Sequence, residues 1–176
     1  MSTYVVLLRG VMPYGRNRVP MATLRTILAE AGLRDVQTYI QSGNVIAKSE
    51  LKRAEVETLV HDAIRVRIGA HIYAVARTAE QFREIFEQNP FADIDTTRVY
   101  FSLFHKKPSR EHREKFLLTD FSPDTVRLIN DCLYTLYKTK HSDSKFTNNF
   151  FEKQLKVIST SRNFNTMSKL VELSSV

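Results

Sequence analysis

The sequence predicts an α+β protein of two ferredoxin-like halves, each with the element order βαββαβ, packed together and followed by an additional C-terminal helix. Two observations support this fold class. Short β-branched and apolar runs of strand length alternate with longer segments whose apolar residues recur at helical spacing. In each half, two consecutive strands are joined by a tight polar turn. The halves show no clear residue-level identity, so the predicted repeat is one of topology.

The first half is predicted over residues 1–77. Pro20 favours a helix start, because proline is tolerated in the first helical turn, and Gly32 suits the helix end. In chain order the predicted elements are a strand over residues 3–8, a helix from Pro20, strands over 36–40 and 45–48, a helix over 52–68 and a strand over 71–76.

The second half is predicted over residues 78–176. It begins with a helix at Thr78, where Gln81 completes a capping-box pattern. The later predicted elements are a strand over residues 98–105, a helix from Ser109 to Leu118, a hairpin of strands over 125–129 and 132–137, a helix over 144–155, a strand over 157–160 and a final helix over 163–173.

Net charge is +7, and the excess lies at both ends of the chain. Residues 1–34 carry +4 and residues 138–176 carry +4, whereas the middle of the chain carries −1. This distribution favours anionic partners such as nucleic acids, nucleotides or acidic metabolites. A basic surface that only keeps the protein soluble fits the same charge.

The sequence predicts a cytoplasmic protein with no membrane association. Residues 1–3 lead directly into a strand, without the basic segment of a signal peptide. No apolar run approaches the roughly 20 residues that span a bilayer. Cys132 is the only cysteine, so no internal disulfide can form, and its apolar surroundings indicate a core residue.

The loop after the first strand is the first candidate site, with Arg9, Arg16, Asn17 and Arg18 as its ligand-binding residues. Guanidinium groups match the geometry of phosphate and carboxylate, and glycines let a backbone approach a ligand closely. The loop is neither a Walker A motif nor a dinucleotide-binding GxGxxG motif. The alternative is a solvated basic loop in which Arg9 forms a structural salt bridge.

The turn between the second and third strands supplies Gln41, Ser42 and Asn44 as further candidates. The βαββαβ topology places the end of the first strand beside the start of the third, so we expect Arg9 and Asn44 to face each other. Asn and Gly are also the residues that a tight turn requires for its backbone alone.

A third candidate lies in the polar segment 159–166, expected to connect the last strand to the last helix. Arg162, Asn163 and Asn165 could bind an anion there, because a helix N-terminus offers free N–H groups. The alternative is a cluster of N-cap residues without a ligand.

Other functional patterns are weak. Tyr100, Phe104 and Tyr134 are expected on one face of neighbouring strands, where they could stack bases or form a packed or dimer interface. The histidines have no metal-ligand spacing, so no metal or cofactor is predicted. No catalytic motif identifies a reaction, which leaves enzymatic activity undecided.

These segments are similar to the bacterial DUF1697 family. The resemblance rests on LLRG at 7–10, RNRVPM at 16–21, AGL at 31–33, TYIQSGNV at 38–45, VARTAEQF at 75–82, NPF at 89–91, SKFTNNFFEK at 144–153 and TSRNFNT at 160–166. It implies an α+β fold of two ferredoxin-like halves and implies no established activity. The chain departs from the family pattern at residues 11–14, where the usual sequence is closer to I-N-V-G, and at Phe164, where Trp is more frequent.

Three functional hypotheses follow from these observations. The first is binding of a nucleic acid or nucleotide through the basic loop and the polar turns. The second is a small-molecule enzyme or binding protein that uses the same residues for an anionic metabolite. The third is a structural role without a ligand, in which the aromatic strand face forms a homodimer.

Overall fold

A computed structural model describes residues 1–175 of the chain. Its strands are β1 (Ser2–Arg9), β2 (Arg34–Tyr39), β3 (Asn44–Ser49), β4 (Tyr73–Thr78), β5 (Val99–Phe104), β6 (Thr125–Ile129), β7 (Cys132–Leu136) and β8 (Ser159–Asn163). Its α-helices are α1 (Met21–Glu30), α2 (Arg53–Ile68), α3 (Ala79–Glu87), α4 (Arg110–Leu117), α5 (Asn148–Leu155) and α6 (Phe164–Ser174). Two short 3₁₀ turns cover Thr96–Arg98 and His141–Asp143.

The strands form two four-stranded antiparallel sheets. The first sheet has the order β2-β3-β1-β4, and the second has the equivalent order β6-β7-β5-β8. In each sheet the first strand pairs with the third and fourth strands of its own half, which is the ferredoxin-like topology. The α+β fold class predicted from the sequence is confirmed, including the C-terminal helix.

The chain forms two compact units that do not follow the chain order strictly. Unit 1 comprises residues 1–84 together with the described residues from 170 onward, and unit 2 comprises residues 85–169. The division into domains after residue 77 stays a prediction.

Unit 1 is built around β1, which is buried on both faces. Val6 and Leu8 lie with Val45 of β3 on the face that packs against Leu24 of α1 and Val60 of α2. The intervening residues Val5 and Leu7 are also buried, on the opposite face. A strand covered on both faces cannot alternate apolar and polar residues, which explains its uninterrupted apolar run.

Unit 2 has an aromatic core between its sheet and helices α4 and α5. Phe104 of β5 and Leu133 of β7 face Phe116 of α4 and Phe151 of α5. On the opposite face of the sheet, Tyr134 is fully buried, and its hydroxyl donates to the carbonyl oxygen of Ile85 in α3 at 2.6 Å. Both faces of this sheet are therefore buried as well.

The fourth strands of the two halves share a detail that the sequence did not reveal. Arg77 lies one residue before the end of β4 and Arg162 one residue before the end of β8, and both are buried. Each is followed by an N-cap residue, Thr78 or Asn163, whose side-chain oxygen accepts from the backbone N–H three residues later, at 3.3 and 2.9 Å. The repeat therefore extends from topology to particular residues.

Candidate nucleic-acid interface

The basic loop between β1 and α1 has a defined backbone conformation. The N–H of Met12 donates to the carbonyl of Asn17 at 2.9 Å, and the N–H of Arg18 donates to the carbonyl of Gly15 at 3.2 Å. Gly15 has a φ of 79°, which is a left-handed conformation that other residues seldom adopt. Hydrogen bonds within the loop therefore define its backbone conformation, and its exposed side chains project from this ordered backbone.

Arg16 and Arg18 are the exposed cations of this loop. Within residues 1–175 neither guanidinium forms an ion pair or a hydrogen bond, whereas Arg65 and Arg67 of α2 pair with carboxylates. Tyr14, in the same loop, has 74% of its surface exposed. The loop thus presents two unneutralised guanidiniums beside an exposed aromatic ring.

The polar turn 40–43 lies against both ends of this loop. The carbonyl of Gly43 accepts from the N–H of Leu8 at 2.8 Å, and Gln41 Nε2 donates to the carbonyl of Val19 at 3.1 Å. Gly43 approaches so closely that an added Cβ would lie 2.8 Å from Leu8 Cβ and 3.0 Å from Val11 Cγ2. The structure therefore brings the predicted loop and turn together at one end of the first sheet.

Asn44 has its side chain inside the turn. It is fully buried, and its Nδ2 donates to the carbonyl of Tyr39 at 2.9 Å and to Ser42 Oγ at 3.2 Å. These hydrogen bonds fix the chain between β2 and β3. Arg16, Asn17, Arg18 and Gln41 lie on the surface side of the same region, with Asn17 half-buried.

The expectation that Arg9 faces Asn44 is wrong. Asn44 is the register partner of Leu7, and Arg9, two residues further along β1, is paired with Tyr73 of β4. The strand pairing with β3 ends at Leu7, and the turn is joined to β1 one residue further by the hydrogen bond from the N–H of Leu8 to the carbonyl of Gly43. Arg9 therefore lies on the β4 side of the loop.

Tyr73 is a candidate residue that sequence reasoning missed. It is 48% exposed, and its ring stacks on that of His61 with centroids 5.4 Å apart and planes inclined by 18°. His61 Nδ1 lies 2.7 Å from the carbonyl of Ile72, which fixes the imidazole under the tyrosine ring. The sequence signal was only a tyrosine at the start of an apolar strand, and the pairing with Arg9 places it beside the basic loop.

The candidates in segment 159–166 belong to unit 2. Residues 159 and 160 lie in a strand as expected, but the prediction that residues 161–163 connect this strand to the last helix is wrong. Residues 159–163 together form β8, which pairs with β5 from Ser159 opposite Phe104 to Asn163 opposite Tyr100. The hydrogen-bonded pairing with β5 determines where this strand lies, and the apolar residues 157 and 158 precede it.

The strand conformation determines what these three side chains do. Arg162 is buried, its guanidinium donates to Thr160 Oγ1 at 2.7 Å and to the carbonyl of Ser161 at 2.9 Å, and burial lowers the pKa of Arg162 to about 10. Asn163 caps α6 by accepting from the N–H of Thr166 at 2.9 Å. Asn165 is exposed in the first turn of α6. Their role as ligand-binding residues stays a prediction.

The aromatic residues of β5 and β7 do not share one face. Tyr134 is the register partner of Phe101, whereas Tyr100 and Phe104 occupy the alternate positions of β5. Phe104 and Tyr134 are both fully buried. The expected common stacking or dimer face of Tyr100, Phe104 and Tyr134 is therefore wrong, because the strand register is offset by one residue.

The described part of the chain, residues 1–175, offers no clustered metal ligands. No group of three or more histidine, cysteine, aspartate or glutamate side chains is placed there to hold a metal ion. None of the helices in the same range is long and apolar enough to cross a bilayer.

The fold and the loop end of the first sheet define an α+β protein of two ferredoxin-like halves with a structured, arginine-bearing loop. The chain belongs to the DUF1697 family, whose description is a protein of unknown function and whose model matches residues 1–134. A solved structure, that of the conserved bacterial protein SP0830 from Streptococcus pneumoniae, superposes with a TM-score of 0.81 at 20% sequence identity and covers 100% of this chain and 99% of its own. At this identity the likeness establishes the fold alone. No curated protein matches the chain.

Proposed function

We propose that the protein binds single-stranded nucleic acid in the cytoplasm through the loop end of its first sheet. The observation that carries the proposal is the pair Arg16 and Arg18, whose guanidiniums are exposed and unneutralised within residues 1–175 on a hydrogen-bonded loop. Two such groups can neutralise two phosphates, and phosphate neutralisation supplies most of the affinity for nucleic acids.

Exposed aromatic rings favour a single strand over a duplex or a small anion. Tyr14 lies within the loop and Tyr73 lies beside its base, and both rings are largely or half exposed. Unstacked bases gain roughly 1–3 kcal/mol each by stacking on such rings, whereas bases in a duplex already stack on one another. Arginine beside exposed tyrosine therefore fits a strand with accessible bases.

The polar turn positions this surface. Asn44 fixes the turn from inside, and Gln41 ties the turn to the second end of the loop through the carbonyl of Val19. We assign Gln41 and Ser42, which are exposed, to polar contacts with the ligand, and Asn44 to the support of the turn.

Fluorescence anisotropy with labelled single-stranded RNA, single-stranded DNA and duplex DNA, at about 50 and 200 mM salt, tests the proposal. We expect tighter binding of a single strand and a steep salt dependence. The double variant R16Q/R18Q removes two cations from the loop. For a single strand it reduces the salt slope by about 1.4, at about 0.7 for each phosphate that is no longer neutralised.

The matched control is R65Q/R67Q, which removes the same charge from the last turn of α2, where both arginines pair with carboxylates. The control keeps the wild-type slope if the loop is the binding site. Equal losses of slope in both double variants indicate a non-specific charge effect and refute the proposal. Absence of any oligonucleotide binding at low salt, with thermal stabilisation by a small anion, would instead support the metabolite hypothesis.

A further inference from the structure

A second basic surface lies in unit 2, far along the chain from the basic loop and the polar turn. Residues 105–115 contain five lysines and arginines against two glutamates. A groove of about 400 Å³ runs along α4 and the residues just before it, and it is lined by Lys107, Pro108, Arg110, Arg113, Glu114 and Leu117. A volume of this size lies within the range of small-molecule sites.

The groove has more positive charge than its own carboxylate neutralises. Arg110 Nε lies 2.7 Å from Glu114 Oε1, so this pair is internally matched. Arg113 is half-buried and Lys107 is exposed, and neither side chain forms an ion pair or a hydrogen bond with another residue in the range 1–175. Two cations therefore remain to hold an anion in the same groove.

The position of the groove on α4 adds to this positive potential. Ser109 caps the helix, because its Oγ accepts from the N–H of His112 at 3.3 Å. Lys107 and Pro108 immediately precede this cap, and the N-terminal turn of a helix carries a partial positive charge. An anion held by Lys107 would lie near this favourable end of the helix.

Part of the groove is apolar. Pro108 lines it and is buried, and Leu117 lines it with 54% of its surface exposed. A ligand that carries only charge would leave the exposed surface of Leu117 in water. The lining therefore matches an anion that is joined to an apolar group.

We infer that this groove binds a phosphomonoester that carries an apolar or aromatic substituent. Lys107 and Arg113 hold the phosphate, and Pro108 and Leu117 pack against the substituent. The inference is independent of the nucleic-acid proposal, because it uses a different unit and none of the same residues.

Two-dimensional ¹H–¹⁵N NMR of the intact protein, titrated with phenyl phosphate, inorganic phosphate and phenol, tests the inference. We expect saturable shifts in residues 107–117 with phenyl phosphate, weaker binding of inorganic phosphate, and no saturation with phenol. K107Q/R113Q reduces the affinity for phenyl phosphate by about 10-fold or more, as expected for the removal of charge-assisted hydrogen bonds. L117A reduces that affinity towards the value for inorganic phosphate.

The matched control is K115Q, which removes a cation from the same helix outside the groove lining. The single variant R113Q is measured beside it. If K115Q weakens the binding of phenyl phosphate as much as R113Q does, the binding depends on the general positive charge of the helix, and the inference is overturned. The inference is also overturned if about 10 mM phenyl phosphate, ten times a Kd of about 1 mM, leaves the spectrum of the wild-type protein unchanged. If the groove residues respond only to a single-stranded oligonucleotide, the small-ligand inference also fails. Vesicles of phosphatidylcholine with and without phosphatidic acid distinguish a lipid headgroup from a soluble ester as the source of the phosphate.

Discussion

Replacement of Asn44 by alanine tests whether this residue stabilises the turn beside the basic loop. Its amide nitrogen donates to the carbonyl of Tyr39 at 2.9 Å and to Ser42 Oγ at 3.2 Å, and the side chain is fully buried. The alanine side chain can form neither hydrogen bond. The carbonyl of Tyr39 then loses its side-chain donor at a partly buried site.

The magnitude follows from these hydrogen bonds. The hydrogen bond to Ser42 contributes about 1 kcal/mol net, and loss of the donor to the partly buried carbonyl of Tyr39 costs about 1–3 kcal/mol, so the two losses together amount to about 2–4 kcal/mol. N44A should therefore lower the free energy of unfolding by about 2–4 kcal/mol, which is a large share of the roughly 5–15 kcal/mol that holds most domains folded.

Urea denaturation followed by circular dichroism measures this change in stability. With a dependence on urea of about 2 kcal/mol per molar, the midpoint should fall by about 1–2 M. The control N165A changes an exposed asparagine in α6 and should leave the midpoint unchanged within error. If N44A unfolds at the wild-type urea concentration, the hydrogen bonds do not stabilise the turn, and Asn44 would return to consideration as a ligand-binding residue.

Three further outcomes follow from the structure. G43A should destabilise the protein by more than G10A, because both glycines have positive φ but only a Cβ at Gly43 meets Leu8, at 2.8 Å; thermal unfolding of the two variants compares them. Burial lowers the pKa of His141 in the folded protein below its ordinary value of 6.5. The neutral imidazole therefore contributes stability above pH 6.5, and this contribution is lost as the pH falls through the pKa of the folded state. On acidification, the melting temperature should fall less in H141Q than in the wild type. S159A should be neutral or stabilising in urea, because the buried Ser159 hydroxyl has no hydrogen-bond partner among residues 1–175, and a marked loss of stability would show that a bound water satisfies it.

Local patterns predicted most of the fold. The capping box at Thr78 and Gln81 is confirmed by two reciprocal hydrogen bonds of 3.2 and 3.3 Å. Ser109 caps α4 as expected. Such signals involve residues only a few positions apart, so the sequence contains all the information that they need.

Registers between distant strands were not predictable in the same way. The predicted strand covered residues 157–160, whereas pairing with β5 begins at Ser159 and continues through polar residues to Asn163. A shift of one residue also moves every side chain to the other face of a sheet, which is why Tyr134 was placed beside Tyr100. The alternation of residues along a strand shows which side chains share a face of that strand, but it does not show which residues of the neighbouring strand they lie beside.

The positions of the candidate side chains were predictable in part, and their roles stay predictions. Arg16 and Arg18 stand out in the sequence as basic residues in a glycine-containing loop, and the structure shows them exposed. Tyr73 and Arg113 gave no such signal, because each becomes a candidate only through neighbours that the fold supplies. Asn44 shows the opposite case, since a polar residue in a turn satisfies the backbone as readily as it meets a ligand.

The division of the chain between its two units has a consequence for biosynthesis. Unit 1 contains residues 1–84 and also residues 170–175, so the segments that complete it are made before and after the whole of unit 2. On the ribosome, unit 2 has all its residues available as soon as residue 169 has emerged, whereas unit 1 must wait for the last turns of α6. Until then Leu173 of α6, which lines a groove together with Thr3 and Ile46, has not been added to unit 1. The N-terminal unit is therefore completed only by residues that are synthesised after all of unit 2.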